Sequence, residues 1–79
     1  MHLAPQTLAE LLDSLRHELP PVFARVAVPR LLGGIIAVGS LANLDSASAG
    51  PPGSFRHGRR VCYKRDPFLA WLGTRLTRA

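Results

Sequence analysis

Arg56, Arg59, Arg60, Lys64 and Arg65 place five positive charges in residues 54–65, with no acid among them. That equals the formal net charge of the whole 79-residue chain, +5 at pH 7. The run follows the breaker cluster Gly50-Pro51-Pro52-Gly53 and precedes an aromatic segment, Phe68-Leu69-Ala70-Trp71-Leu72. Unpaired ions are strongly disfavoured inside a protein, so a short ribbon carrying this row must turn it to water or to a polyanion. Any fold of this chain has to keep that segment at its surface.

The length allows one small domain, near the lower limit at which a single core holds itself together. With 47% hydrophobic residues the composition is not that of a disordered chain. So little protein leaves scant room for a substrate cleft. No carboxylate pair, Ser/His/Asp set, phosphate loop or metal cluster can be assembled with any specificity, so an enzyme is not expected. The single cysteine, Cys62, excludes an internal disulfide framework, and His2, His17 and His57 fall at no metal-ligand spacing. No metal or cofactor is expected. Cys62 reads as a small half-buried strand residue, and a lone reduced thiol fits the cytoplasm.

Met1-His2-Leu3-Ala4-Pro5 lacks the basic region and apolar run of a secretory signal. The most apolar stretch, Leu31 to Leu44, is interrupted by Gly33, Gly34, Gly39, Ser40 and Asn43, and is too short and broken to span a bilayer. The basic balance points to nucleic acid or an anionic surface as partner.

Pro5 suits a first helical position, with Thr7 as the N-cap if the helix starts later. Leu8, Leu11, Leu12, Leu15 and Leu19 recur at spacings of three and four, which predicts an amphipathic helix over 5–19. Pro20-Pro21 ends it. That helix either covers the remaining core or serves as a dimerisation handle, and a core this small favours the first. Residues 22–28 fit a helical turn or a strand. Pro29 to Leu32 reads as a short helix closed by Gly33-Gly34. Ser40 is a good N-cap for a second short helix over Leu41 to Ser48. Ser54-Phe55-Arg56 and Arg60-Val61-Cys62-Tyr63 pair as a hairpin across His57-Gly58-Arg59. Asp66 caps a last helix with Pro67 in its first turn and Phe68, Leu69, Trp71, Leu72 and Leu76 on its apolar face; Arg75 and Arg78 lie near its C-terminus. Phe68 and Trp71 belong to the core, and the Tyr63 hydroxyl is free to reach a phosphate.

This order is two short helices joined by a tight turn, then a basic hairpin, then a helix. It is a mainly α fold with a small β-hairpin (α+β), a winged helix-turn-helix with an extra N-terminal helix. Residues 1–21 form the helix and Pro-Pro break, and 22–79 the DNA-binding domain. In such a fold the second helix enters the major groove and the hairpin meets phosphate or the minor groove.

Leu32-Gly33-Gly34, Gly39-Ser40-Leu41-Ala42-Asn43-Leu44-Asp45-Ser46, Gly50-Pro51-Pro52, Gly58-Arg59-Arg60-Val61-Cys62-Tyr63 and Phe68-Leu69-Ala70-Trp71-Leu72 carry a resemblance over roughly residues 26–76. They resemble the small excisionase-type DNA-binding proteins of phages and mobile elements. Those belong to the MerR-like winged-helix superfamily, with the AlpA-type regulators. The resemblance implies that Ser40, Asn43, Ser46 and Ser48 lie at the major groove. It makes Arg56, His57, Arg59 and Arg60 the wing, with Lys64 and Arg65 on phosphates. Asparagine suits adenine, and arginine suits guanine or a narrow minor groove. The chain departs from the pattern in a second helix without Arg or Lys, where Asp45 is expected to repel phosphate.

The leading expectation is an excisionase-like architectural factor or transcriptional regulator that binds duplex DNA without chemistry. Homodimers or adjacent protomers on the DNA, and an integrase partner, would accompany it. A protein-interaction module using the leucine-rich helix, and an RNA-binding protein, are the alternatives.

Overall fold

Thr7 opens the first helix, as its hydroxyl accepts from the Glu10 amide at 3.0 Å. In this computed structural model residues 7–77 are described. The expectations for Pro5, His2 and Arg78 lie outside them. Helix α1 runs Leu8–Glu18 and stops at Leu19, which precedes Pro20 in an extended conformation. Leu19 is buried, and Leu12 and Leu15 pack against the same core, so the leucine stripe folds back onto the rest of the chain.

Strand β1 (Val22–Ala24) follows, then a 3-10 turn over Arg25–Ala27 and helix α2 (Val28–Leu31). The ambiguity of residues 22–28 thus resolves into a strand and a helical turn in succession. Helix α2 ends as its glycines predict. The Gly34 amide donates to the Pro29 carbonyl at 2.6 Å and the Gly33 amide to Arg30 at 3.5 Å. That double bond pattern needs the left-handed region, where Gly33 sits at φ 64°.

Helix α3 spans Val38–Ser46, which corrects the expected start at Leu41 after a Ser40 cap. The Leu41 amide bonds the Ala37 carbonyl at 3.2 Å, so Ser40 already sits within the first turn. Ser40 lies inside the helix. At the other end the Ala49 amide reaches Leu44 and the Ser48 amide reaches Asp45, the same closing motif as in α2. Here Ser48 takes the left-handed position at φ 58°, outside the helix.

Strands β2 (Phe55–His57) and β3 (Arg60–Lys64) form the expected hairpin, except that His57, expected in the connection, pairs with Arg60 inside the ladder and leaves Gly58, at φ 62°, in a two-residue turn. Strand β3 also pairs with β1, so the sheet is three-stranded and antiparallel in the order β1-β3-β2. The fold is a small α+β domain. Helix α4 (Arg65–Gly73) leaves β3 directly, which corrects the Asp66 cap: the N-cap is Lys64, and Asp66 lies in the first turn. Leu76 follows the helix rather than belonging to it, and is half-buried against the core.

Phe23, Tyr63 and Phe68 form the centre of the core, with the Phe23 and Phe68 rings edge to face at 5.0 Å. Such a pair adds about 0.5–1.5 kcal/mol beyond area burial. Leu41 anchors α3 there at 0% exposure, and Leu69 and Leu72 anchor α4. Phe68 is core as expected. Trp71 is half-buried beside it and donates its indole N–H to the Ala49 carbonyl at 2.9 Å, tying α4 to the segment after α3.

Candidate nucleic-acid interface

Strand register decides which way each hairpin side chain points. Arg56 pairs with Val61, while Phe55 pairs with Cys62 and His57 with Arg60. Cross-strand partners share a face, and alternate residues on one strand do too. Arg56 therefore leaves β2 on the side of Val61 and Tyr63, which is the side α3 covers. By register His57, Arg60 and Lys64 start from the opposite strand face, with Phe55 and Cys62, although Arg60 and Phe55 still border grooves shared with α3. Phe55 itself stays 38% exposed.

Arg56, His57, Arg59, Arg60 and Lys64 are all exposed, as are Ser40, Asn43 and Ser46. On α3, Gly39, Ser40, Asn43 and Ser46 make one solvent-facing arc, while Leu41 points to the core. The hairpin runs beside that helix. Near the start of α3, Val38 lines a groove with Val26, Arg59 and Arg60. Near its end, Ser46 lines another with Ser54 and Arg56.

Two of the expected contacts are not brought to this place. Lys64 is four residues along β3 from Arg60, about 13 Å at strand rise, at the end away from the turn. Arg65 is partly buried, with Nε donating to Asp66 Oδ1 at 3.1 Å and Nη1 to the Leu19 carbonyl at 3.5 Å. It braces α4 against the end of α1.

Sequence reasoning missed Arg25. Its Nη2 donates to Asp45 Oδ2 at 2.6 Å, and its Nε to the Tyr63 hydroxyl at 3.0 Å. The Tyr63 hydroxyl in turn donates to Asp45 Oδ2 at 2.6 Å. The hydroxyl is thus not free for phosphate, since both of its hydrogen-bonding roles are taken and Tyr63 is 0% exposed. Asp45 also differs from expectation: it is not a bare negative charge on α3 but is neutralised by Arg25, with each side chain 18% exposed. Burial, with help from the Asp45 bond and against the pull of Arg25, pushes the Tyr63 phenol up to about 12. The hydrogen bond to Tyr63, then that to Asp45, holds the Arg25 guanidinium above its ordinary range. A Cβ at Gly50 would overlap the other Asp45 oxygen, Oδ1, so the loop after α3 approaches the carboxylate in a way only glycine permits. No signal in the sequence marked this cluster, because its members come from three separate segments.

Among the described residues, no group of three His, Cys, Asp or Glu side chains could hold a metal, and no helix is long and apolar enough to cross a membrane. Compared with known proteins, the chain matches no family model, no curated protein and no solved structure.

Proposed function

We propose that the chain binds double-stranded DNA as a winged helix-turn-helix protein. In this reading α2 and α3 are the helix-turn-helix, α3 is the reading helix and the β2–β3 hairpin is the wing. One observation carries it: a hairpin bearing Arg56, His57, Arg59 and Arg60, all exposed, lies alongside the exposed arc of α3. A helix and a ribbon side by side can engage a groove and its flanking phosphate together. Neutralising Asp45 removes a charge that would oppose this. The arc of α3 offers only small side chains and Asn43, so the hairpin supplies most of the affinity and α3 a modest preference at best.

The biological role we infer is that of an excisionase-like architectural factor or transcriptional regulator of a mobile element. It acts in the cytoplasm by binding alone, with adjacent protomers and an integrase as partners. Use of the α1 leucines against the core counts against α1 as a docking handle for another protein.

The experiment is a titration of a labelled random-sequence duplex at low salt, followed by competition with RNA duplex of equal length. DNA binding that resists the RNA competitor is expected. No binding to either duplex would overturn the reading, and preference for the RNA would replace it with the RNA-binding alternative.

A further inference from the structure

We propose that the groove between α3 and β2 is a seat for one phosphate group, which in the DNA reading above is a single phosphodiester of the backbone. The groove has a volume of about 390 Å3, and Arg25, Asp45, Ser46, Ser54, Arg56 and Val61 are among the residues that line it. This refines the site, because it gives Arg56 a place distinct from Arg59 and Arg60.

Three observations converge on it. Arg56 shares a strand face with its partner Val61 and lines this groove beside it, whereas Arg59 and Arg60 line a separate groove with Val26 and Val38. Ser46 closes one wall from α3 and Ser54 the other from the entry to β2, and both are exposed. Among the described residues, Arg56, Ser46 and Ser54 make no side-chain hydrogen bond or ion pair with the protein, which leaves one guanidinium fork and two hydroxyls for a ligand. Arginine with hydroxyl donors suits a phosphate, whose oxygens accept two parallel N–H bonds.

The back wall decides the sign of the charge. Asp45 also lines the groove, and alone it would exclude an anion. Its Oδ2 is held by Arg25 and Tyr63, so the groove contains two guanidinium groups against one carboxylate, a balance of one positive charge. A phosphate seated here is gripped by α3 and the hairpin together, which fixes the register of both on the duplex.

A pair of charge-matched variants tests the seat. Arg56→Gln and Arg59→Gln each remove one positive charge from an exposed hairpin position, so unspecific attraction falls equally in both. The seat predicts that Arg56→Gln weakens duplex binding at least about tenfold more than Arg59→Gln, as expected for loss of a charge-assisted fork. Ser46→Ala and Ser54→Ala each weaken it further than Ser48→Ala does. Equal losses in the two arginine variants, on a wild type that binds duplex, would overturn the seat. In parallel, inorganic phosphate titrated into the wild type is expected to give saturable amide shifts at Ser46, Ser54 and Arg56 that vanish in Arg56→Gln. A wild type that binds no duplex defeats the DNA reading instead. The phosphate titration then decides the seat alone, and shifts no different between wild type and Arg56→Gln overturn it.

Discussion

Arg25 Nη2 lies 2.6 Å from Asp45 Oδ2, joining the turn after β1 to the last turn of α3. The bond turns the only acid on α3 from an obstacle to anion binding into part of the scaffold. Because Tyr63 of β3 bonds to both residues, the cluster also fixes the angle between α3 and the hairpin.

Breaking the pair should therefore cost stability. Arg25→Met or Asp45→Asn alone leaves a largely buried partner unsatisfied, at about 1–3 kcal/mol each. The double variant should lose less than the sum, with a coupling of roughly 0.5–3 kcal/mol from urea midpoints. Additive losses would show that the two side chains do not interact in solution.

Tyr63 gives the cluster a pH signature. Its folded phenol titrates near 12 against 10.0 for the ordinary group, so the native state holds the proton more tightly than the unfolded chain. Stability from this source is fully present below pH 10 and is lost as pH rises from there to about 12. Tyr63 is the single tyrosine, so phenolate absorbance reads it without overlap. The folded protein should titrate well above the denatured one, and Tyr63→Phe should flatten that part of the stability profile.

Gly50 should resist substitution because of Asp45. Gly50→Ala forces a methyl group onto Asp45 Oδ1 and should lower stability by about 1–3 kcal/mol. In an Asp45→Ala background, which removes the clashing oxygen, the same change should cost much less. Thermal or urea unfolding of the four proteins checks this.

Ser48 offers the reverse case. It holds φ 58° at the end of α3, where α2 uses a glycine. Ser48→Gly relieves a left-handed strain of roughly 1 kcal/mol and should raise the unfolding midpoint by a corresponding amount. A lowered midpoint would mean that the serine side chain contributes something at this position.

The parts of this fold that were legible in the sequence are those decided locally. Thr7 caps its own helix, Gly33-Gly34 closes α2 through bonds to residues three and five positions back, and Gly58 sets the turn of the hairpin. What misled was local preference overruled by neighbours. Ser40 has the chemistry of a cap, but α3 begins one turn earlier. Asp66 has it too, yet the Arg65 amide is already taken by the Pro21 carbonyl at 2.8 Å, so β3 runs into α4 with Lys64 extended. The third strand and the Arg25–Asp45–Tyr63 cluster were illegible because they join distant segments: β1 finds its partner only at Cys62–Lys64. The candidate site was legible as a charge row, but not its division. Only the folded hairpin puts Arg56 and Arg60 in separate grooves, and only tertiary packing withdraws Arg65.

The central claim is that exposed hairpin cations bind duplex DNA, and its most direct measurement is affinity against salt for wild type and the Arg59→Ala/Arg60→Ala double variant. Neutralising phosphates releases counterions, so log affinity falls linearly with log salt, with a slope of about −0.9 per phosphate contact. A steep wild-type slope is expected, shallower by roughly one to two units in the double variant, with weaker binding at every salt concentration. Identical slopes in the two proteins, or no duplex binding by the wild type at low salt, would contradict it.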